Sequence, residues 1–276
     1  MTTSPPDVRA RAGIAAAPIA AAPPKRGWRG PRLIRWISPV ALLVIWQLLS
    51  GTGLVDNKKL PPLNVIWAAA VEVIQNGQLG DGLLVSLRRM LLGFVVGALV
   101  GAVLALLTSR SRLFDNAIDP LVQMLRNVPL FGVIPLFILW FGIGETPKTI
   151  LIAIAGGLPI YVNVYAGLRE VDPRLVEATT VLGYSRWQRL RHVVLPAAVP
   201  LSLVGVRLGL ASSWLALVVA ETVNADSGIG FMINNARDFL RTDIVIVGLL
   251  VYSFVGLILD SIVRAIQRYL LRWRVA

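Results

Sequence analysis

Six apolar runs alternate with short polar intervals along the chain. A helix needs about 20 apolar residues to cross ~30 Å of hydrocarbon. Ile37 to Leu49 is the first and shortest run, and it reaches spanning length only if extended back to Leu33 with the preceding arginines snorkelling to the headgroups. Leu83 to Leu107 is the second. Its Gly93, Gly97 and Gly101 recur every four residues, a pattern that predicts a face packed against protein and not lipid. Ile118 to Ile143 is the third, broken by Pro120, Pro129 and Pro135. Gly144-Glu145-Thr146-Pro147 reads as a tight turn before the fourth, Thr149 to Leu168, whose middle Gly156, Gly157 and Pro159 should weaken. Ala197 to Val223 is the fifth, and a Gly/Asn-rich loop running to Asp243 leads to the sixth, Ile244 to Val263. Between the first two runs, Pro61-Pro62 opens an amphipathic stretch in which Val65, Ile66, Ala69 and Val73 share a face. It is too polar to span and predicts an interfacial helix. The fold class that follows is all-α, an integral membrane protein with six transmembrane helices.

The polar interval from Asp172 to Pro196 stands apart from the other connections. Asp172 followed by Pro173 reads as an N-cap and first helical position, because proline lacks the donor that would be orphaned there. Leu175, Val176 and Thr179 recur at helical spacing and Gly183 ends the pattern. Ser185 with Gln188 three residues on forms a capping box, so a second short helix starts there, and Pro196 closes the unit. The product is a helix–turn–helix knob bearing Arg174, Arg186, Arg189 and Arg191 between two membrane segments, better suited to docking than to chemistry.

Composition agrees with a membrane protein: 56% of the 276 residues are hydrophobic and 15% charged, too apolar a balance for an ordinary soluble domain. The net charge of +12 raises nucleic acid as a partner, but the placement of the cations explains it otherwise. With the N-terminus inside, eighteen Lys and Arg fall on the cytoplasmic side, seven on the other, and Arg126 and Arg207 lie within spans. The positive-inside rule therefore places both termini and the knob in the cytoplasm, and no nucleic acid is needed. Residues 1–32, rich in Ala and Pro, read as a flexible cytoplasmic tail, and 33–276 as the membrane domain. The first run resembles a signal peptide's apolar region, but no small-residue cleavage pattern follows, since Gly51-Thr52-Gly53 is a turn; an uncleaved first span is expected. No cysteine is present, which excludes disulfides and thiolate metal sites.

Glu177-Ala178-Thr179, then Gly183, then Val193 and Leu195-Pro196, resembles the EAA loop of ABC importer permeases, with Thr179 and Val193 as mild departures. The likeness extends over about Leu60 to Trp273. It is carried by Leu60-Pro61-Pro62, Ser86-Leu87-Arg88-Arg89, Asp119-Pro120-Leu121, Trp140-Phe141-Gly142-Ile143-Gly144-Glu145, Gly167-Leu168-Arg169, Ala220-Glu221, Gly228-Ile229-Gly230 and Asp260. Together these are similar to the type I branch that serves nitrate, sulfonates, taurine and bicarbonate. The resemblance implies a type I ABC importer permease fold with a pathway core at about 82–264 and a coupling loop at 169–196. It also implies a permease homodimer in the bacterial cytoplasmic membrane, two ABC ATPase subunits that bind ATP and Mg, and an external solute-binding protein. Within the loop, Glu177, Ala178, Thr179, Gly183, Leu195 and Pro196 are the expected ATPase-coupling residues. The branch also takes uncharged and cationic nutrients, so an anion is favoured without being named.

Charges inside spans are costly and usually face a cavity or a partner. Arg126, beside Asn127, and Arg207 both fall near mid-depth by residue count. Two readings stand: an electropositive vestibule for an anion, or arginines that cap carbonyls freed by Pro129 and Pro200 or pair with a neighbouring helix. Glu221 near the outer end of its span is expected to pair with Arg88 or Arg89. Trp214 either narrows the pathway or packs. Asp226 to Asp243, with Gly228 and Gly230, is an outer gate, a receptor contact or a passive connector, and Asp260 should pair with Arg264 four residues on. Catalysis has no candidate: there is no G-x-x-x-x-G-K-[ST], no H-E-x-x-H, no metal cluster and one histidine, His192, beside the knob. The chain is expected to hold no cofactor. Two function classes remain, a permease driven by partner ATPases and a stand-alone carrier or channel. The second should carry an inverted repeat with matching broken helices, which is not seen.

Overall fold

The computed structural model describes residues 34–52 and 56–272. The expected tail at 1–32 and Trp273 to Ala276 lie outside the described residues. The chain divides after Ile45. The first helix, α1 (Ile34–Gly51), crosses that division. Within the second unit its end is tied down by three polar contacts. Trp46 Nε1 donates to the Pro61 carbonyl at 3.0 Å, Ser50 Oγ to the Leu60 carbonyl at 2.8 Å, and Gln47 Oε1 accepts from the Leu63 amide at 3.1 Å.

Helix α2 (Leu63–Gln75) starts directly after Pro61-Pro62, as the sequence predicts. Ile66, Ala69 and Val73 are its buried residues, and they pack on protein, chiefly α11 (Thr242–Leu270) and α3 (Gln78–Arg110). Val65 departs from the expected face and is exposed, because it sits about 100° around the helix from Ile66.

The core of the second unit is a seam of three long helices, with α6 (Glu145–Arg169) between α3 and α9 (Leu195–Asn224). The glycine column of α3 does face protein: a methyl group on Gly97 would collide with the Ala153 carbonyl, and one on Gly101 would lie 2.5 Å from that of Gly157. On the opposite side of α6, a methyl on Gly156 would collide with Ser213 Oγ. Gly156 and Gly157 therefore do not weaken the helix as expected. They let it touch two neighbours at backbone distance, and that packing holds α6 unbroken through Pro159.

The third run is the clearest correction. It forms α4 (Arg112–Asn127), a 3₁₀ turn at Leu130–Val133, and α5 (Ile134–Phe141), with a 90° bend between the two limbs. Pro129 cannot donate to a continuing helix and drives Val128 into extended backbone, φ −74° and ψ 126°. Most of α4 is polar on one side, and that side is tied to α6. Asp115 accepts from the Tyr165 hydroxyl at 2.5 Å and pairs with Arg169, and Asp119 accepts from the Tyr161 hydroxyl at 3.2 Å. The tight turn before the fourth run is made by Gly142 and Gly144, both at positive φ, while Glu145 to Pro147 already belong to α6.

The Gly/Asn-rich loop also differs from its expectation, since most of it is a helix, α10 (Ile229–Asp238), which buries Ile229, Met232 and Ile233. Among the described residues, four helices are long and apolar enough to cross a membrane, or five if the bent pair counts as one span. They are α3, α6, α11 and the continuous helical stretch Arg186–Val223.

Candidate functional site

Two features of this bundle stand out, one buried and one exposed. The buried one centres on Glu221 of α9, which has no solvent exposure. Its carboxylate pairs with a guanidinium nitrogen of Arg89 from α3. Ser86 Oγ lies 2.8 Å away, the Tyr252 hydroxyl of α11 donates at 2.8 Å, and the Gly230 amide of α10 donates at 3.0 Å. Ser86 Oγ in turn accepts from the Ile229 amide at 3.0 Å. Arg89 presents its other two nitrogens to Glu145 at the start of α6, each at 2.6 Å, and Lys148 Nζ reaches the same carboxylate at 3.1 Å. Five helices thus meet at one charge network.

A carboxylate stripped of water is tolerable only when paired and fully hydrogen-bonded, and each of these contacts meets that requirement. One donor to the carboxylate, the Gly230 amide, comes from the first turn of α10, where the helix dipole also favours negative charge, and the neighbouring Ile229 amide holds Ser86 Oγ in place. The glycines serve this approach: a side chain on Gly230 would collide with Glu221, and one on Gly228, at φ +98°, would come within 2.6 Å of Glu221 Oε1. The expected pairing with Arg88 or Arg89 resolves to Arg89; Arg88 is exposed. Ser86, Lys148 and Tyr252 were not legible as members. Ser86 and Arg89 stand three apart on α3, as do Glu145 and Lys148 on α6, and that spacing is the signal that marks a shared polar face.

The exposed feature is the knob. Asp172 caps α7 (Pro173–Val181) by accepting from the Arg174 amide at 2.9 Å. Gly183 turns the chain at φ +76°, and Ser185 and Gln188 form the reciprocal capping box that opens α8 (Arg186–Arg189). Arg189 Nη1 donates to Thr180 Oγ1 at 2.6 Å, clamping the two short helices together. Pro196 does not close the unit as expected. A π-turn at Leu190–Val194, in which the Leu195 amide donates to the Leu190 carbonyl, carries α8 into α9 without a break. Pro196 at the start of α9 and Pro200 within it donate no ladder bond, yet the helix runs on through both. Glu177 and Ala178 are exposed, Thr179 is half-buried with its hydroxyl returned to the Val176 carbonyl at 3.0 Å, and Leu195 and Pro196 lie on the rod's surface. Val181 is 89% exposed, Leu182 72% and Trp187 64%, an apolar surface that the described residues leave uncovered.

The residues singled out between these features are not brought together. Arg207 Nε pairs with Asp260 of α11 at 2.7 Å, and Arg264 reaches the same carboxylate at 2.9 Å as expected. Trp214 is buried, donating to the Tyr252 carbonyl at 3.1 Å and meeting that ring edge-on at 5.7 Å. Arg126, at the last turn of α4, bonds the neutral Gln123 side chain at 2.9 Å, and Asn127 Nδ2 bonds the Gln123 carbonyl at 2.8 Å. Arg126 and Arg207 line separate cavities. Among the described residues no group of His, Cys, Asp and Glu could hold a metal ion.

Long apolar helices joined at a charge network, with an exposed helix–turn–helix set between two of them, define a membrane-embedded helical protein. Residues 93–272 match the family of binding-protein-dependent transport system inner membrane components, and the chain belongs to that family. It is a permease component of an ABC importer. A putative aliphatic sulfonates transport permease protein of Bacillus subtilis is 41% identical over 248 residues, covering 90% of this chain and 88% of that one. The taurine transport system permease protein of Escherichia coli is 34% identical over 237 residues, 84% of this chain and 86% of its own. Among solved structures, an amino acid ABC transporter shares the fold at TM-score 0.61 and 19% identity, covering 72% of this chain and 97% of that one.

Proposed function

We propose that this chain is the membrane-spanning subunit of an ATP-driven importer of a small anion of the sulfonate class, such as taurine or an alkanesulfonate. It works as a homodimer in a bacterial cytoplasmic membrane. An external solute-binding protein delivers the solute, and two ABC ATPase subunits, which bind ATP and Mg, supply the energy. The substrate class rests on the sulfonate and taurine permeases to which the chain is similar. Counting α1 and the bent α4–α5 pair as spans gives six, with both termini and the knob in the cytoplasm.

The observation that carries this reading is the knob: a capped, clamped helix–turn–helix whose apolar surface is exposed among the described residues and whose second helix runs directly into a membrane-length rod. Its coupling residues are Glu177, Ala178, Thr179, Gly183, Leu195 and Pro196. An ATPase cleft closing on them moves α9 as one piece, and packed helices respond by switching between discrete arrangements. At the other end, Gly228 and Gly230 set α10 against Glu221, and this segment serves as the outer gate or the receptor contact. Arg126 and Asn127 at the bend are the pathway residues, and Arg207, Trp214 and Glu221 frame the path from within the packing.

Reconstitution tests the reading. Vesicles holding this chain, the ATPase and the binding protein should take up a sulfonate only with ATP inside the ATPase compartment. Uptake by the chain alone would favour the stand-alone carrier instead.

A further inference from the structure

Between the bend after α4 and the α6–α9 seam lies a cavity of about 520 Å³. That size falls within the roughly 300–1,000 Å³ of small-ligand sites. Its lining is two-sided in character. Arg126, Asn163 of α6 and Ser212 of α9 supply polar groups, and Leu158, Leu208 and Leu215 supply apolar wall. Among the described residues, Arg126 is the one ionisable side chain lining it, and no carboxylate does. Its described partner is the neutral Gln123, whereas Arg207 is offset by Asp260. The positive charge of Arg126 is therefore available to a ligand while that of Arg207 is already spent. Asn163 Nδ2 donates to the Pro159 carbonyl at 2.8 Å, which fixes the carboxamide and leaves its second N–H to point elsewhere.

We propose that this cavity is a transit station that selects among sulfonates by chain length. The anionic head is taken by Arg126 with Asn163 and Ser212, and the alkyl chain lies along Leu158, Leu208 and Leu215. The inference rests on the sulfonate reading above and adds the residues that discriminate within that class. A guanidinium binds an oxyanion in a fixed fork, so the head end gives affinity common to every homologue. The apolar wall gives the increment that grows with each methylene. The two functions are separable by substitution.

The test uses the complete importer in vesicles, with the same binding protein throughout, and measures uptake of ethanesulfonate and octanesulfonate. Leu158→Phe fills the wall and should lower the octane-to-ethane ratio by about tenfold, the lower range for a methylene-sized change in a hydrophobic site. Leu215→Ala, at an exposed position where truncation leaves α9 intact, removes apolar wall and should also lower that ratio, by a smaller factor. Arg126→Gln should raise the half-saturating concentration of both homologues and leave their ratio unchanged. ATP hydrolysis stimulated by the binding protein reports assembly of each variant. A ratio unmoved by both wall variants in assembled importers overturns the transit station and leaves the sulfonate reading standing. A wild-type importer that moves neither homologue overturns both.

Discussion

Glu221 and Arg189 are charged residues near opposite ends of one continuous helical stretch, Arg186–Val223, which is about 57 Å long at 1.5 Å per residue. Their surroundings are opposite. Glu221 is met by side chains and amides from α3, α10 and α11, all supplied by its own chain. Arg189 meets Thr180 within the knob, close in sequence to Val181, Leu182 and Trp187, which the described residues leave exposed. One end of the rod is fastened by the fold, and the other is shaped by local caps alone. The proposed coupling uses that asymmetry, a fixed end and a docking end on one rod.

The largest blow to this contrast falls at the fastened end. Glu221→Ala leaves Arg89 buried without its inner counter-ion, and the cost of breaking a buried pair is about 3–5 kcal/mol. Thermal unfolding of the purified chain in detergent should shift accordingly, and Glu221→Gln should lose less because its one amide oxygen can still accept from both Tyr252 and Gly230. Next in size is the seam that sets the fastened end. Gly97→Leu drives a side chain into the Ala153 carbonyl and should cost about 1–3 kcal/mol or more, read by the same unfolding assay. At the docking end the effect should be local. Asp172→Ala removes the α7 cap, worth about 1 kcal/mol of helix stability. Hydrogen exchange at the first α7 amides should speed up while the global unfolding temperature stays put.

The smallest effect sharpens the boundary of the fastened region. Arg241 holds the Glu72 carboxyl below its ordinary value near 4.5, chiefly through a hydrogen bond, tying α2 to the turn before α11. A carboxyl lowered in the folded state stabilises fully above its ordinary value and loses that contribution as pH falls through the folded one. The pair is half-exposed, so the loss is slight. Exchange of α2 amides should rise modestly below pH 4.5, and Arg241→Gln should flatten the rise.

The knob was legible almost to the residue because its signals are local: Asp172-Pro173, Gly183 and the Ser185–Gln188 pair act within four positions. The glycine column of α3 was legible for a similar reason, since spacing along one helix sets a face. What could not be read depends on partners distant in sequence. Tyr252 joins Glu221 across 31 residues and Ser86 joins it across 135, and no periodicity reports such contacts. The bend at Pro129 was half visible, as a break without an angle, because the angle is set by where α4 finds Tyr161 and Tyr165. The helix hidden in the Gly/Asn-rich segment escaped for a further reason. Gly228 and Gly230, which look like loop residues, are there to let a helix end touch a buried carboxylate.

In the proposed importer the knob faces the cytoplasm and is held there by an ATPase. The chain has no cysteine, so Val181→Cys would carry the single thiol, at a position almost fully exposed. A membrane-impermeant maleimide should label it only from the cytoplasmic side, and the bound ATPase subunit should block that labelling. Labelling from the outer side, or labelling indifferent to the ATPase, would contradict the account.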